Sequence, residues 1–222
     1  MEGAAMGDLE LAGEMARYRA SIYRTISALF LDNPDARTLE GLIEAGRAAA
    51  DAEPPCASER DFMAALAAVD IGDPEDLRTR VATEYAELFV GPRKPLASPY
   101  ESIYLGGDRH LLNATTMAVR SVYEDQGYHV ARRNQLPDDH IGLEMEFLAH
   151  LCDREAACCE AGDEGGARGA QKAEAAFITA HPGRWASLLA DRIAATWCGN
   201  FYALLARFAV AFLAEDADYL QR

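Results

Sequence analysis

The stretch PDDHIGLEMEFLAHLC, at residues 137–152, joins a proline and two acidic residues to a periodic apolar pattern. Its apolar residues recur in steps of four and three, at Ile141, Met145, Leu148 and Cys152. This spacing predicts a long helix. Asp139 stands just before the pattern, where an acidic side chain can accept hydrogen bonds from the free amides of a helix start. We therefore expect a long helix that begins at Asp139.

Helical periodicity extends over the rest of the chain on both sides of this stretch. The composition agrees, because 43 alanines stand against only 15 valines and isoleucines. Alanine loses least on helix formation, whereas β-branched residues favour strands. Capping residues and prolines, such as Asp73 followed by Pro74, separate one periodic segment from the next. The sequence predicts an all-α protein, a bundle of about nine helices.

Two long connections interrupt the predicted helices. The first, residues 91–104, contains three prolines and is too apolar to serve only as a spacer. The second runs from Tyr128 to Asp139. We expect an N-terminal helical half, residues 1–133, that carries the loop 91–104, and a C-terminal half, residues 134–222, that begins at a hinge at 134–140. Such a hinge permits a closed monomer and also a domain-swapped dimer, and we expect mainly the monomer.

Charge and composition exclude several classes of partner. The 222 residues carry 36 acidic and 21 basic side chains, a net charge of -15, which would repel a phosphate backbone. Nucleic acid is therefore not an expected ligand. The most apolar stretch, residues 197–213, is interrupted by polar residues, so stable membrane insertion is not expected. The first residues contain no secretory signal, and the five cysteines lack CxxC spacing, so we expect a cytoplasmic protein with reduced thiols.

A metal site is the main enzymatic alternative in a helical bundle. The candidate ligands are His140, Glu144, Glu146 and His150. Di-iron bundles use Glu and His three residues apart, whereas these pairs stand four apart, a spacing that also suits ordinary side-chain pairing on a helix surface. The sequence has no nucleophile motif and no glycine-rich phosphate loop. An enzyme is therefore the weaker hypothesis, and a helical-bundle metalloenzyme using these four residues is the alternative.

Three ordered segments carry a more specific signal. They read Glu84-Tyr85-x-x-Leu88-Phe89-x-Gly91-Pro92 followed by Pro99-Tyr100-Glu101-Ser102-x-Tyr104, then Pro137-Asp138-Asp139-His140-Ile141-x-x-Glu144-x-Glu146-Phe147, and finally Phe177-x-x-x-His181-x-x-x-Trp185. In this order, in an acidic helical chain, the set resembles the TorD/DmsD family of molybdoenzyme maturation chaperones. The resemblance covers residues 84–185 and extends to the helical type of the segments before them.

The resemblance implies a cytoplasmic, cofactor-free chaperone with no turnover of its own. Family members serve the catalytic subunit of a molybdopterin oxidoreductase. They bind the twin-arginine leader of its apo form, assist insertion of the molybdenum cofactor and hold back export until folding is complete. A twin-arginine leader combines a cationic start with an apolar segment, and an acidic protein with aromatic loop residues is complementary to both. An acidic scaffold protein without an export client is a third hypothesis.

The resemblance also implies a leader-binding region. Matching positions place Tyr100 and Glu101 in the first loop and Asp139 and His140 at the hinge, and Tyr104 and Glu144 are further candidates. Each residue also has a purely structural interpretation. Asp139 can cap a helix, His140 can be a solvated surface group, and the two tyrosines can be packing residues. Glu144 can stabilise the helix dipole or pair with a leader arginine.

Overall fold

The computed structural model describes residues 2–49, 54–70, 72–91, 94–106, 112–130, 135–196 and 200–222. Within these ranges the chain forms ten α-helices: α1 (Glu2–Leu31), α2 (Ala36–Ala48), α3 (Ala57–Ala67), α4 (Pro74–Tyr85), α5 (Glu101–Leu105), α6 (Ala114–Asp125), α7 (Ile141–Glu160), α8 (Glu164–Ala180), α9 (Pro182–Thr196) and α10 (Phe201–Tyr219). A π-helical segment, Ala86–Val90, continues α4. The predicted all-α fold is confirmed, since these ranges contain no β-strand and only isolated bridge residues, among them the pair Tyr100 and His140.

Helix boundaries follow the capping residues of the sequence. The carboxylates of Asp35 and Asp73 accept backbone hydrogen bonds at the starts of α2 and α4, and Pro74 takes the first position of α4. The Asn113 side chain accepts from the amide of Thr115, over 2.8 Å, at the start of α6. Gly127 follows α6 with a φ of 69°, a conformation that glycine adopts at little cost. Local chemistry thus fixes several helix ends.

The predicted loop 91–104 is partly helical. Its residues 94–99 are irregular, residues 92–93 lie outside the described ranges, and α5 occupies its end from Glu101 onward. Expecting loop through residue 104 was therefore wrong. The first amides of α5 bond to Asp139, which lies far along the chain, and the spacing of prolines cannot reveal such a partner.

The chain divides into two compact units. The first comprises residues 1–31, 100–184 and 217–222, and the second comprises residues 32–99 and 185–216. The expected boundary between residues 133 and 134 falls inside the first unit, so the observed division differs from the predicted halves. Residue 134, where the expected hinge begins, lies outside the described ranges. The first unit pairs α1 with α7, and periodicity within one helix does not reveal which distant helix it contacts.

A buried ion-pair cluster lies in the core of the first unit. Arg19, on α1, is 2% exposed and pairs with Glu155 and Glu174 of α7 and α8. The Arg19 Nη1 to Glu155 Oε2 distance is 2.7 Å, and the guanidinium also lies 5.1 Å from the centre of the Tyr219 ring. Removing one partner of such a group strands the other charges in a medium of low polarity. The cluster therefore fixes how three helices meet.

The second unit is packed around aromatic rings. Phe62 of α3 stacks on Phe208 of α10 with ring centres 4.5 Å apart. The ring of Tyr202 lies 5.1 Å from that of Phe89, which belongs to the π-helical segment. Gly46 brings α2 close to α3, because a Cβ there would lie 2.7 Å from the Met63 carbonyl oxygen. The unit thus holds α2, α3, α4 and α10 in contact.

No helix in the described ranges is both long enough and apolar enough to cross a lipid bilayer.

Candidate functional site

Four of the predicted leader-binding residues meet at the start of α7. Tyr100 and His140 form the antiparallel bridge, and their rings lie edge to face with centres 5.1 Å apart. The amide of Glu101 donates to the carbonyl of Asp139 over 3.0 Å. Residues at 100–101 and 139–140 are far apart in the sequence, so the structure confirms that they are neighbours in space.

Asp139 is fully buried and anchors α5. Its Oδ2 accepts a hydrogen bond from the amide of Ser102 over 2.9 Å, and its exposed fraction is 0%. The prediction that Asp139 caps α7 was wrong, because the next residue, His140, has that position. Asp139 precedes the cap, and its side chain instead reaches the free amides at the start of α5. Its carboxylate thus stabilises a helix start, but that of a different helix.

His140 caps α7 with its ring. The Nδ1 atom accepts a hydrogen bond from the Gly142 amide over 3.0 Å, and the side chain is 4% exposed. An accepting Nδ1 requires the ring to be neutral with its proton on Nε2. The interpretation of His140 as a solvated surface group is therefore wrong. A carboxylate is the more usual side chain at such a position, which is why sequence reasoning assigned the cap to Asp139.

Glu101 connects α5 to the end of α8. Its Oε2 lies 3.0 Å from Nδ1 of His181, and both side chains are buried. The His181 ring also contacts Phe177, with ring centres 4.9 Å apart. Sequence reasoning quoted His181 within a motif but did not include it among the site residues. The signal that could have singled it out is its place directly before Pro182, since a proline often marks a helix boundary.

Further buried acidic groups surround Tyr123 of α6. The Tyr123 hydroxyl donates to the carbonyl of Asp138, and Arg120 pairs with the Asp138 carboxylate at 2.5 Å. Burial raises the pKa of Tyr123 well above its usual value, and the nearby negative charges of Glu144, Asp138 and Asp139 raise it further. Glu144 itself has an exposed fraction of 0%. Asp138, Arg120 and Tyr123 belong to the site but were not among the predicted residues.

Exposure divides the predicted site residues into two groups. Glu101, Asp139 and Glu144 are buried and do not present their carboxylates to solvent, so they form the support of the site. Tyr100 and Tyr104 are half-buried, and a ligand can reach part of each. The structure therefore offers two aromatic rings on and next to α5, held in place by a buried polar network.

The metal-binding alternative finds no support in the described part of the chain. No group of three or more His, Cys, Asp or Glu residues there could hold a metal ion. His140 is engaged as a helix cap, and the His150 ring lies against Tyr128, with ring centres 5.1 Å apart. Burial lowers the pKa of His150, and the positive charge of Arg154 lowers it further. Glu146 is half-buried near the Tyr128 hydroxyl.

An all-helical chain with this arrangement at the start of α7 matches a known family. Residues 48–191 match the family model described as nitrate reductase delta subunit, and the chain belongs to this family. The fold is also similar to the crystal structure of a proposed redox enzyme maturation protein from Archaeoglobus fulgidus. That comparison has a TM-score of 0.50 and 18% identity, and it covers 92% of this chain and 94% of the other. At this identity the similarity supports the fold alone.

Curated relatives carry the name chaperone protein TorD. The protein of Vibrio cholerae serotype O1 (strain M66-2) is 28% identical over 149 residues, 67% of this chain and 66% of that protein. The protein of Shewanella pealeana is 26% identical over 215 residues, 91% of this chain and 90% of that protein. The resemblance to the TorD/DmsD family is thus confirmed. The prediction that the chain is not an enzyme agrees with these names.

Proposed function

We propose that this chain is a maturation chaperone for the catalytic subunit of a molybdopterin oxidoreductase. The observation that carries the proposal is the similarity to a TorD chaperone over 91% of the chain. In this role it binds the twin-arginine leader of the apo-subunit, assists insertion of the molybdenum cofactor and holds back export until folding is complete. It acts in the cytoplasm, mainly as a monomer, and needs no cofactor of its own.

The geometry of the candidate site supports leader binding through aromatic contact. Tyr100 and Tyr104 offer partly accessible rings, and aromatic side chains are prominent among residues that dominate binding energy. Two buried hydrogen bonds hold α5 in place. Asp139 accepts the Ser102 amide, and Glu101 bonds to His181. A binding element that is already ordered loses less conformational entropy on association. The buried carboxylates therefore act by positioning the rings.

The acidic charge of the chain supports binding of the cationic half of the leader. The net charge of -15 attracts an Arg-Arg pair over distances set by the salt concentration. The Debye length falls from about 10 Å at 0.1 M salt to about 3 Å at 1 M. Salt should therefore slow association with the leader, while the aromatic contacts persist.

The test measures leader binding by calorimetry with wild type, Tyr100→Ala and Tyr100→Phe. The ligand is the twin-arginine leader of the molybdoenzyme catalytic subunit from the same cell. We expect saturable binding, a loss of about tenfold in affinity for Tyr100→Ala, and near wild-type affinity for Tyr100→Phe, which keeps the ring. A leader with both arginines replaced by glutamine should bind more slowly. The absence of saturable binding to wild type would refute the proposal.

A further inference from the structure

The second unit contains a large apolar cavity that the candidate site does not use. Its volume is about 800 Å³, and it is bounded by α2, α3, α4 and the start of α10. Its walls include the side chains of Leu39, Ile43, Leu66, Leu77, Val81 and Leu204. Ligand sites measure roughly 300–1,000 Å³. The cavity therefore has the size and lining of a binding site.

Glu84 and Asn200 line the cavity beside the start of α10, and the other polar residues of its lining are Asp70, Thr79, Arg80 and Thr83. Glu84 is 4% exposed, and its Oε1 accepts the Tyr202 amide over 2.7 Å. Asn200 Oδ1 accepts the Ala203 amide, but the Asn200 Nδ2 is buried and has no hydrogen-bond partner among the described residues. A carboxylate accepts about four hydrogen bonds, so Glu84 retains capacity beside its bond to α10. The cavity thus presents an unused donor next to an acceptor.

We propose that this cavity binds an apolar segment of the client polypeptide, with one peptide group held between Asn200 and Glu84. The inference rests on the proposed function and gives the apolar half of the leader its own site. A peptide group offers one N–H donor and one carbonyl acceptor, which complement the Glu84 carboxylate and Asn200 Nδ2. Apolar side chains on either side of that group fill the cavity.

A lipid is the competing occupant of the cavity. Arg80 lines the cavity and offers a fatty-acid carboxylate a cationic partner, so the laurate titration described below decides between the two occupants. Burial already raises the pKa of Glu84 to about 7, so a ligand that donates a hydrogen bond there is favoured over an anion. The cavity therefore suits a neutral polypeptide segment.

The first test fills the cavity. Ala65 of α3 lines it, whereas the neighbouring Ala64 is exposed outside it, so Ala65→Trp and Ala64→Trp form a matched pair. Both are titrated with the intact leader and with a leader whose apolar segment is replaced by serines. We expect Ala65→Trp to bind the intact leader about tenfold more weakly and the serine leader as wild type does. Ala64→Trp should match wild type with both.

The second test needs no added bulk. Asn200→Ser keeps a side-chain oxygen that can cap α10 but removes the Nδ2 donor and adds no charge beside Glu84. We expect about tenfold weaker binding of the intact leader with a melting temperature close to that of wild type. This variant tests the proposal even where Ala65→Trp fails to fold.

The outcomes separate the inference from the proposed function. Wild-type leader affinity in both Ala65→Trp and Asn200→Ser would overturn the cavity proposal and leave the chaperone function standing. No leader binding by wild type would overturn both. Saturable binding of laurate that Ala65→Trp abolishes, with leader binding unchanged, would also overturn the proposal and assign the cavity to a lipid.

Discussion

Replacing Asp139 should release α5 from the start of α7. The Asp139 Oδ2 accepts the Ser102 amide over 2.9 Å in a fully buried setting. A hydrogen bond to a charged group contributes roughly 1.5–3 kcal/mol, so Asp139→Ala should lower the free energy of unfolding by about 2 kcal/mol. In a chain of this size each kcal/mol corresponds to about 2–4 °C, which predicts a fall of roughly 4–8 °C in Tm. Asp139→Asn keeps an oxygen acceptor and should cost about half as much.

Thermal unfolding and hydrogen exchange together test this reasoning. The amide of Ser102 should exchange faster in Asp139→Ala, because its acceptor is gone. Asp163→Ala is the control, since Asp163 also accepts a backbone amide at a helix start but is exposed. It should cost about 1 kcal/mol and leave exchange at Ser102 unchanged. An Asp139→Ala protein with the Tm of wild type and normal protection of Ser102 would refute the assigned role.

Two further predictions concern the second unit. Burial raises the pKa of Glu84 from 4.5 to about 7, so the folded state binds the proton more tightly than the unfolded state, and this group's contribution to stability falls as the pH rises from 4.5 through 7. The free energy of unfolding of Glu84→Gln, measured by denaturation at several pH values, should lack that part of the decline. Profiles of stability against pH that run parallel for wild type and variant would contradict the prediction. Gly46→Ala should lower Tm, because its Cβ would lie 2.7 Å from the Met63 carbonyl oxygen, whereas Gly41→Ala in the same helix meets nothing within 4 Å and should stabilise by about 0.5–1 kcal/mol. Equal melting temperatures for the two alanine variants would contradict the close approach.

Local signals in the sequence predicted what depends on neighbouring residues. Asp73 with Pro74 marked the start of α4, because a helix cap is decided within one turn of chain. The family motifs likewise brought Tyr100 and His140 into one predicted region, and the structure places them in contact. The all-α class followed from composition and periodicity.

What the sequence could not show depends on contacts between distant residues. Asp139 can accept amides at any nearby helix start, and nothing local indicates that Ser102 rather than the α7 backbone provides the donor. The buried contact of Glu101 likewise depends on His181, a distant residue at the end of α8. For the same reason, the expected boundary at residue 133 missed the observed division, which follows the pairing of α1 with α7.

Both compact units are assembled from stretches that are separate in the sequence. The first needs residues 1–31 together with residues 100–184 and 217–222, and the second needs residues 185–216 as well as 32–99. No single cut of the chain therefore separates the two units from each other. During synthesis α1 leaves the ribosome long before α7. The apolar face of α1 therefore stays exposed until α7 has been made, and folding of both units is completed late. A protein proposed to shield an unfinished client thus passes through a similar exposed stage during its own synthesis.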